Sequence, residues 1–191
     1  MSDAVRQAVG DAARTALAVA VVVAALVAVT GVWPPMVAVE SGSMEPGLER
    51  GDLVVLSEPE RVGEGTVAGV RTARDAPPSD RSFGGPGDVI VFSSPTGPAS
   101  PIIHRARFHV EAGENWYAEA NPEYLPAGVD SCRELASCPA PHAGFVTKGD
   151  ANAEYDQVNG NSPIVTPSRI RAEARFEVPY LGYLRLAFSG S

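Results

Sequence analysis

Ser43 lies in the run Ser41-Gly42-Ser43-Met44-Glu45-Pro46, and four side chains further along the chain could take its proton: His104, His109, His142 and Lys148. A serine hydroxyl is a weak nucleophile until a base accepts its proton and donors stabilise the oxyanion that forms. Gly42 permits a tight backbone path before Ser43, and Met44 and Pro46 would hold that path against an apolar surface. Read alone, Ser-Gly-Ser is as much a linker as a nucleophile.

His104 stands out among the bases. In residues 102–110, strict alternation puts Ile102, His104, Ala106, Phe108 and Val110 on one strand face and Ile103, Arg105, Arg107 and His109 on the other. His104 is the polar exception on an apolar face, where desolvation favours the neutral imidazole that a general base requires. The alternative is a core histidine bonded to a backbone carbonyl. His109, on the charged face, reads as solvated, and His142, beside Pro141, reads as loop.

A histidine base needs a carboxylate to fix its tautomer. Residues 147–156 offer Asp150, Glu154 and Asp156, starting where a short strand meets a Gly-Asp turn. The same carboxylates could form a cation loop, but the twelfth position counted from Asp150 is Asn161, where an EF-hand loop wants glutamate. A copper or zinc module built from His104, His109, Cys132, Cys138 and His142 is a second, non-enzymatic reading. All three methionines lie at or before Met44, so a downstream axial ligand is lacking.

The positioning elements begin with residues 15–39, 25 residues without a charge, almost wholly Ala, Val and Leu over 16–29. About 20 residues in helical form span a bilayer core. A cleavable leader would be shorter and end at a small-residue site, whereas this run exits through Trp33, Pro34, Pro35 and Met36, so we expect a retained anchor. Arg6 and Arg14 precede it and favour a cytoplasmic amino terminus. The expected division is a tail at 1–14, an anchor at 15–39 and an extracytoplasmic domain at 40–191. Four extended residues separate the anchor's expected end from Ser43, a reach of about 13 Å.

The outer part carries the whole net charge of −8, with 21 acidic and 13 basic residues once Asp3, Asp11, Arg6 and Arg14 are set aside. Nucleic acid is therefore not an expected partner. Lys148 is the single lysine against fourteen arginines, a balance that would suit concentrated salt or GC-rich coding. Cys132 and Cys138, six apart in a loop-like segment, read as a local disulfide outside the cell.

Short β-branched runs at 53–57, 89–93, 102–110, 145–147 and 170–178 predict an all-β domain, with Gly51-Asp52 and Gly87-Asp88 opening two of them. Residues 58–86, rich in Gly, Pro, Arg and Asp, read as a long mobile loop. Residues 112–144 read as irregular apart from a short strand at 116–120. Both are taken as insertions on the sheet, and 179–188 as the last strand and its cap.

Together these segments resemble signal peptidase I of the archaeal and endoplasmic-reticulum type. The resemblance rests on Ser41 to Pro46 continuing into Arg50-Gly51-Asp52-Leu53, on Gly87-Asp88-Val89-Ile90-Val91-Phe92 with Ile103-His104-Arg105, on Thr147-Lys148-Gly149-Asp150 to Asp156, and on Val178-Pro179-Tyr180-Leu181-Gly182-Tyr183. It implies a mainly β, LexA-like antiparallel sheet or partly open barrel behind one transmembrane helix. It implies Ser43 as nucleophile, His104 as base where the bacterial branch carries lysine, Asp156 as the acid partnering the histidine, and Asp150 as a second important aspartate. Ser41 and the Ser43 N–H would stabilise the oxyanion. No cofactor or metal is implied. The implied substrates are secretory preproteins cut after small residues, with the lipid bilayer and the protein-export channel as neighbours. Ala151 departs from the family, which often has Asn there; Asn152 follows it. Lys148 remains a rival base, matching a family position not assigned catalysis. A soluble LexA-like self-protease and an inactive homologue remain alternatives.

Overall fold

The computed structural model describes residues 3–62, 67–97 and 100–189. Helix α1 (Asp3–Thr30) contains an 18-residue stretch with a mean hydropathy of 2.3 and is long and apolar enough to cross a membrane. It closes with the Gly31 amide donating to the Val27 carbonyl at 2.8 Å, Gly31 taking the left-handed φ of 78° that suits glycine. Pro34 and Pro35 cannot continue a helix. The expected single apolar segment at 15–39 is corrected accordingly. The helix begins earlier and ends at Thr30, and Met36–Ala38 forms strand β1 of the folded domain.

Six antiparallel strands make the main sheet in the order β1-β2-β8-β5-β6-β7, from β2 (Leu53–Ser57), β5 (Val89–Phe92), β6 (Ile102–Val110), β7 (Gly144–Lys148) and β8 (Ile170–Val178). The mainly β expectation behind one amino-terminal helix holds. Every residue of β5 is buried, because both faces of the sheet are covered there. Val89 and Val91 join Met44, Leu48, Val54 and Ala172 on one side, while Ile90 and Phe92 join Ile102, Ala106 and Phe145 on the other.

Residues 58–86 are not the expected mobile loop over their described part; 63–66 lie outside the described residues. They hold helix α2 (Pro59–Val62) and a small hairpin of β3 (Arg81–Ser82) and β4 (Gly85–Pro86). Val70 and Thr72 are fully buried, and the amides of Ala73 and Arg74 donate to the carbonyls of Ala106 and Arg107. Those bonds lie on the β5 side of β6, where the Ala106 amide also donates to the Asp88 carbonyl, so the insertion continues the pairing of β6 past the start of β5. A mostly polar composition concealed two inward-facing residues.

Residues 112–144 contain 3₁₀ turns at Trp116–Ala118, Pro122–Tyr124 and Cys132–Glu134, and the strand expected at 116–120 is a helical turn instead. Trp116 and Ala120, four apart, both pack inward with Phe108 and Tyr155, and the Trp116 indole N–H donates to the Ser137 carbonyl at 2.7 Å. Cys132 and Cys138 are disulfide-bonded, as expected. The strand end expected at 179–188 is also corrected: after Pro179 the chain turns at Tyr180 (φ 62°) into helix α4 (Gly182–Ser189), which packs on β1 and β2. The Asp52 carboxylate accepts from the Tyr180 amide at 3.2 Å, joining this turn to the first Gly-Asp corner.

Candidate active site

The turn carrying Ser43 leaves β1 and is pinned from below. Met44 and Leu48 are buried to about 1% exposure or less, and the amides of Gly47 and Leu48 both donate to the Met44 carbonyl. Across from it, β6 delivers His104 and the start of helix α3 (Asp156–Asn159) delivers Asp156. Ser43 Oγ lies 3.0 Å from His104 Nε2, and His104 Nδ1 lies 2.7 Å from Asp156 Oδ2. With the Nδ1–H donating to the carboxylate, Nε2 carries the lone pair and accepts from the serine hydroxyl.

Asp156 is fully buried and its oxygens are well supplied. Thr147 Oγ1 donates to Oδ2 at 2.7 Å and Asn161 Nδ2 donates to Oδ1 at 3.3 Å. Three donors including His104 converge on the carboxylate and fix its position against the imidazole. Asn161, read from sequence only as the failed twelfth position of a calcium loop, thus steadies this acid.

The loop between β7 and α3 touches both Ser43 and His104. The Ala151 amide donates to the Ser43 carbonyl at 2.9 Å and the Asp150 amide to Met44 Sδ at 3.5 Å. Gly149 has no room for a side chain: a Cβ would lie 2.6 Å from the Ser43 carbonyl oxygen and 2.8 Å from His104 Nε2. Asp150 is not beside Ser43. Its carboxylate takes Arg105 Nε at 2.8 Å and is also paired with Arg105 Nη2. Arg105 was expected on a charged strand face, yet it is fully buried, with Nη1 donating to the carbonyls of Ser82 and Gly87 at 2.9 and 3.0 Å. A buried guanidinium requires this many partners. It joins the 58–86 insertion to the loop beside the serine, a link with no sequence signal beyond a charge next to His104.

The other candidates lie elsewhere. Lys148 Nζ donates to the carbonyls of Gly149 and Asp150 and sits 4.4 Å over the Tyr124 ring, and burial lowers its pKa, with the nearby Arg107 charge adding to the effect. Its ammonium braces the loop that follows β7. His109, expected to be solvated, is half-buried edge-on to Phe145, and His142 Nδ1 lies 3.2 Å from the Ala143 carbonyl. With both cysteines in a disulfide, the five-residue metal reading is not favoured. Among the described residues no group of three or more His, Cys, Asp and Glu side chains is placed to hold a metal ion.

Ser41 Oγ is 3.2 Å from Ser43 Oγ, on the same side of the turn. Both open into a cavity of about 620 Å³ that runs from the end of α1 (Val32, Trp33 and Pro34) past Ala38 to His104. Ser43 is thirteen residues from the helix end at Thr30, not four from it, so closeness to the membrane segment comes from the folded path of the chain and not from a short tether. The arrangement supplies a hydroxyl, a base with its lone pair aimed at it, an orienting acid and an adjacent apolar groove, the components of acyl transfer.

Residues 12–106 match the protein family described as "Signal peptidase, peptidase S26". The chain is also similar to the signal peptidase complex catalytic subunit SEC11 of Schizophyllum commune (strain H4-8 / FGSC 9210). The two are 28% identical over 164 residues, covering 84% of this chain and 68% of the relative.

Proposed function

The chain belongs to the signal peptidase S26 family, of the archaeal and endoplasmic-reticulum type, and on that premise we propose that Ser43, His104 and Asp156 are its catalytic triad. It is a peptidase that removes signal peptides from preproteins, anchored by one amino-terminal apolar helix. The observation that carries the assignment of residues is the continuous hydrogen-bonded chain from Ser43 Oγ through the imidazole to a buried carboxylate.

In the proposed mechanism, a preprotein segment lies extended in the groove with its carbonyl over Ser43. Ser43 Oγ attacks the carbonyl carbon while its proton passes to His104 Nε2, and Asp156 stabilises the imidazolium. The oxyanion takes hydrogen bonds from the Ser41 hydroxyl and the Ser43 N–H. Collapse of the tetrahedral intermediate breaks the C–N bond, and His104 returns the proton to the leaving amine. Water, deprotonated by His104, then hydrolyses the ester and restores the serine. Asp150 does not enter these steps; its pairing with Arg105 positions the loop that supports the Ser43 carbonyl.

A preference for small residues before the scissile bond belongs to this proposal. So do a cytoplasmic tail at 1–14, a peptidase domain on the outer side of the cell membrane, and the bilayer and export channel as neighbours. Trp33, Phe176, Tyr180, Tyr183 and Leu184 are exposed aromatic and aliphatic side chains near the anchor's end and the α4 turn, and support a bilayer-facing surface. Asp156→Asn tests the triad. Cleavage of a preprotein should fall on the order of 10³- to 10⁴-fold in kcat with KM little changed, since the amide cannot favour the reactive tautomer. A decrease of less than threefold would overturn the assignment.

A further inference from the structure

Strand β1 is an edge strand, paired on one side with β2. The Pro35 carbonyl accepts from the Leu56 amide, the Val39 amide donates to the Asp52 carbonyl and the Val39 carbonyl accepts from the Gly51 amide. Residues 35 and 39 therefore turn their backbone groups toward β2, as residue 37 does by alternation. Those of Met36, Ala38 and Glu40 point out along the opposite edge. This edge leads to Ser43, and Ala38, Glu40 and Ser43 all line the groove.

The first position on that edge is occupied. Arg185, projecting from α4, places Nη1 3.2 Å from the Met36 carbonyl oxygen while lining the same groove. A strand laid on this edge can pair with Ala38 and Glu40 but meets a guanidinium in place of an acceptor at Met36. We propose that Arg185 sets how far along β1 a preprotein can be docked. It ends the main-chain pairing at Ala38 and leaves the substrate's more distant residues to the apolar mouth formed by Val32, Trp33 and Pro34. The inference rests on the peptidase reading above. The membrane end of the groove is the Met36 end, so the substrate's apolar segment enters there and its acyl side runs parallel to β1 toward Ser43.

The test uses the chain in detergent with peptides lengthened one glycine at a time on the acyl side of the cleavage site, so that each added residue brings main-chain groups but no side chain for the apolar mouth. For the unaltered protein, kcat/KM should climb and then level off once the peptide reaches Ala38. Because edge pairing recurs every second residue, Arg185→Met should level off about two residues later. The additional step should lower KM roughly threefold to tenfold, the effect of one added main-chain hydrogen bond, with kcat unchanged. Peptides too short to reach Met36 should be cleaved equally by both proteins, which reports an intact site independently of Arg185. Levelling off at the same length in both proteins, or a uniform change at every length, would overturn the proposal. Absence of cleavage of all peptides by the unaltered protein would instead overturn the peptidase reading on which it stands.

Discussion

Replacing Gly149 with alanine should separate catalysis from folding. The added Cβ would sit 2.6 Å from the Ser43 carbonyl oxygen and 2.8 Å from His104 Nε2. Ordinary contact for such atoms begins near 3.4 Å, so serine turn and imidazole must part from the loop by roughly 0.6–0.8 Å. Neither neighbour can yield cheaply. The Ser43 carbonyl is held by the Ala151 amide at 2.9 Å, and the imidazole is held by Asp156 at 2.7 Å. If the displacement falls on the Ser43–His104 contact, now 3.0 Å, it leaves hydrogen-bond range. Misplacement of about 1 Å costs on the order of 10²-fold in rate. We expect kcat on a preprotein to fall roughly 100-fold, with the protein still folded by circular dichroism and its melting temperature lowered by only a few degrees. Activity within threefold of the unaltered protein would mean that the loop does not constrain Ser43 and His104.

Two further predictions concern charge burial. Burial pushes Glu173 up to about 9 from 4.5, the nearby Asp88 carboxylate adding to the shift and Arg175 opposing it. Between those values the folded chain binds a proton that the unfolded chain has lost. This contribution to stability is therefore complete below about pH 4.5 and is lost as pH rises toward 9. Glu173→Gln should flatten the fall in the urea midpoint between pH 5 and 9, and equal slopes in the two proteins would contradict it. Asp150→Asn removes the carboxylate facing the fully buried Arg105 and should destabilise the fold by about 3 kcal/mol in denaturant titration, whereas a loss below about 1 kcal/mol would show that the carbonyls of Ser82 and Gly87 suffice.

What was legible in the sequence follows the strength of local periodicity. Residues 102–110 and 170–178 alternate cleanly, and both strands fall where the pattern places them. The same alternation singled out His104, a polar side chain on an apolar face. Residues 180–188 misled because aromatic and leucine content suits strand and helix alike, and the turn at Tyr180 depends on Asp52, 128 positions earlier. Trp116 misled for a related reason: its inward partner is Ala120, four residues on, and a five-residue window cannot separate that spacing from a strand. In the site, residue types pointed to Ser43, His104 and Asp156. The roles of Thr147, Gly149 and Asn161 depend on where loops cross, which no local pattern encodes. Arg105 is the sharpest case, since a charge beside an apolar run ordinarily means solvent, and the partners that bury it come from positions 82, 87 and 150.

Cleavage of preproteins through Ser43 is measured without ambiguity by single-turnover reaction of a radiolabelled preprotein in lipid vesicles with the unaltered protein and with Ser43→Ala. The unaltered protein should give mature product, and Ser43→Ala none above the enzyme-free background at matched folded concentration. Cleavage at the same site and a comparable rate by Ser43→Ala would show that Ser43 is not the nucleophile.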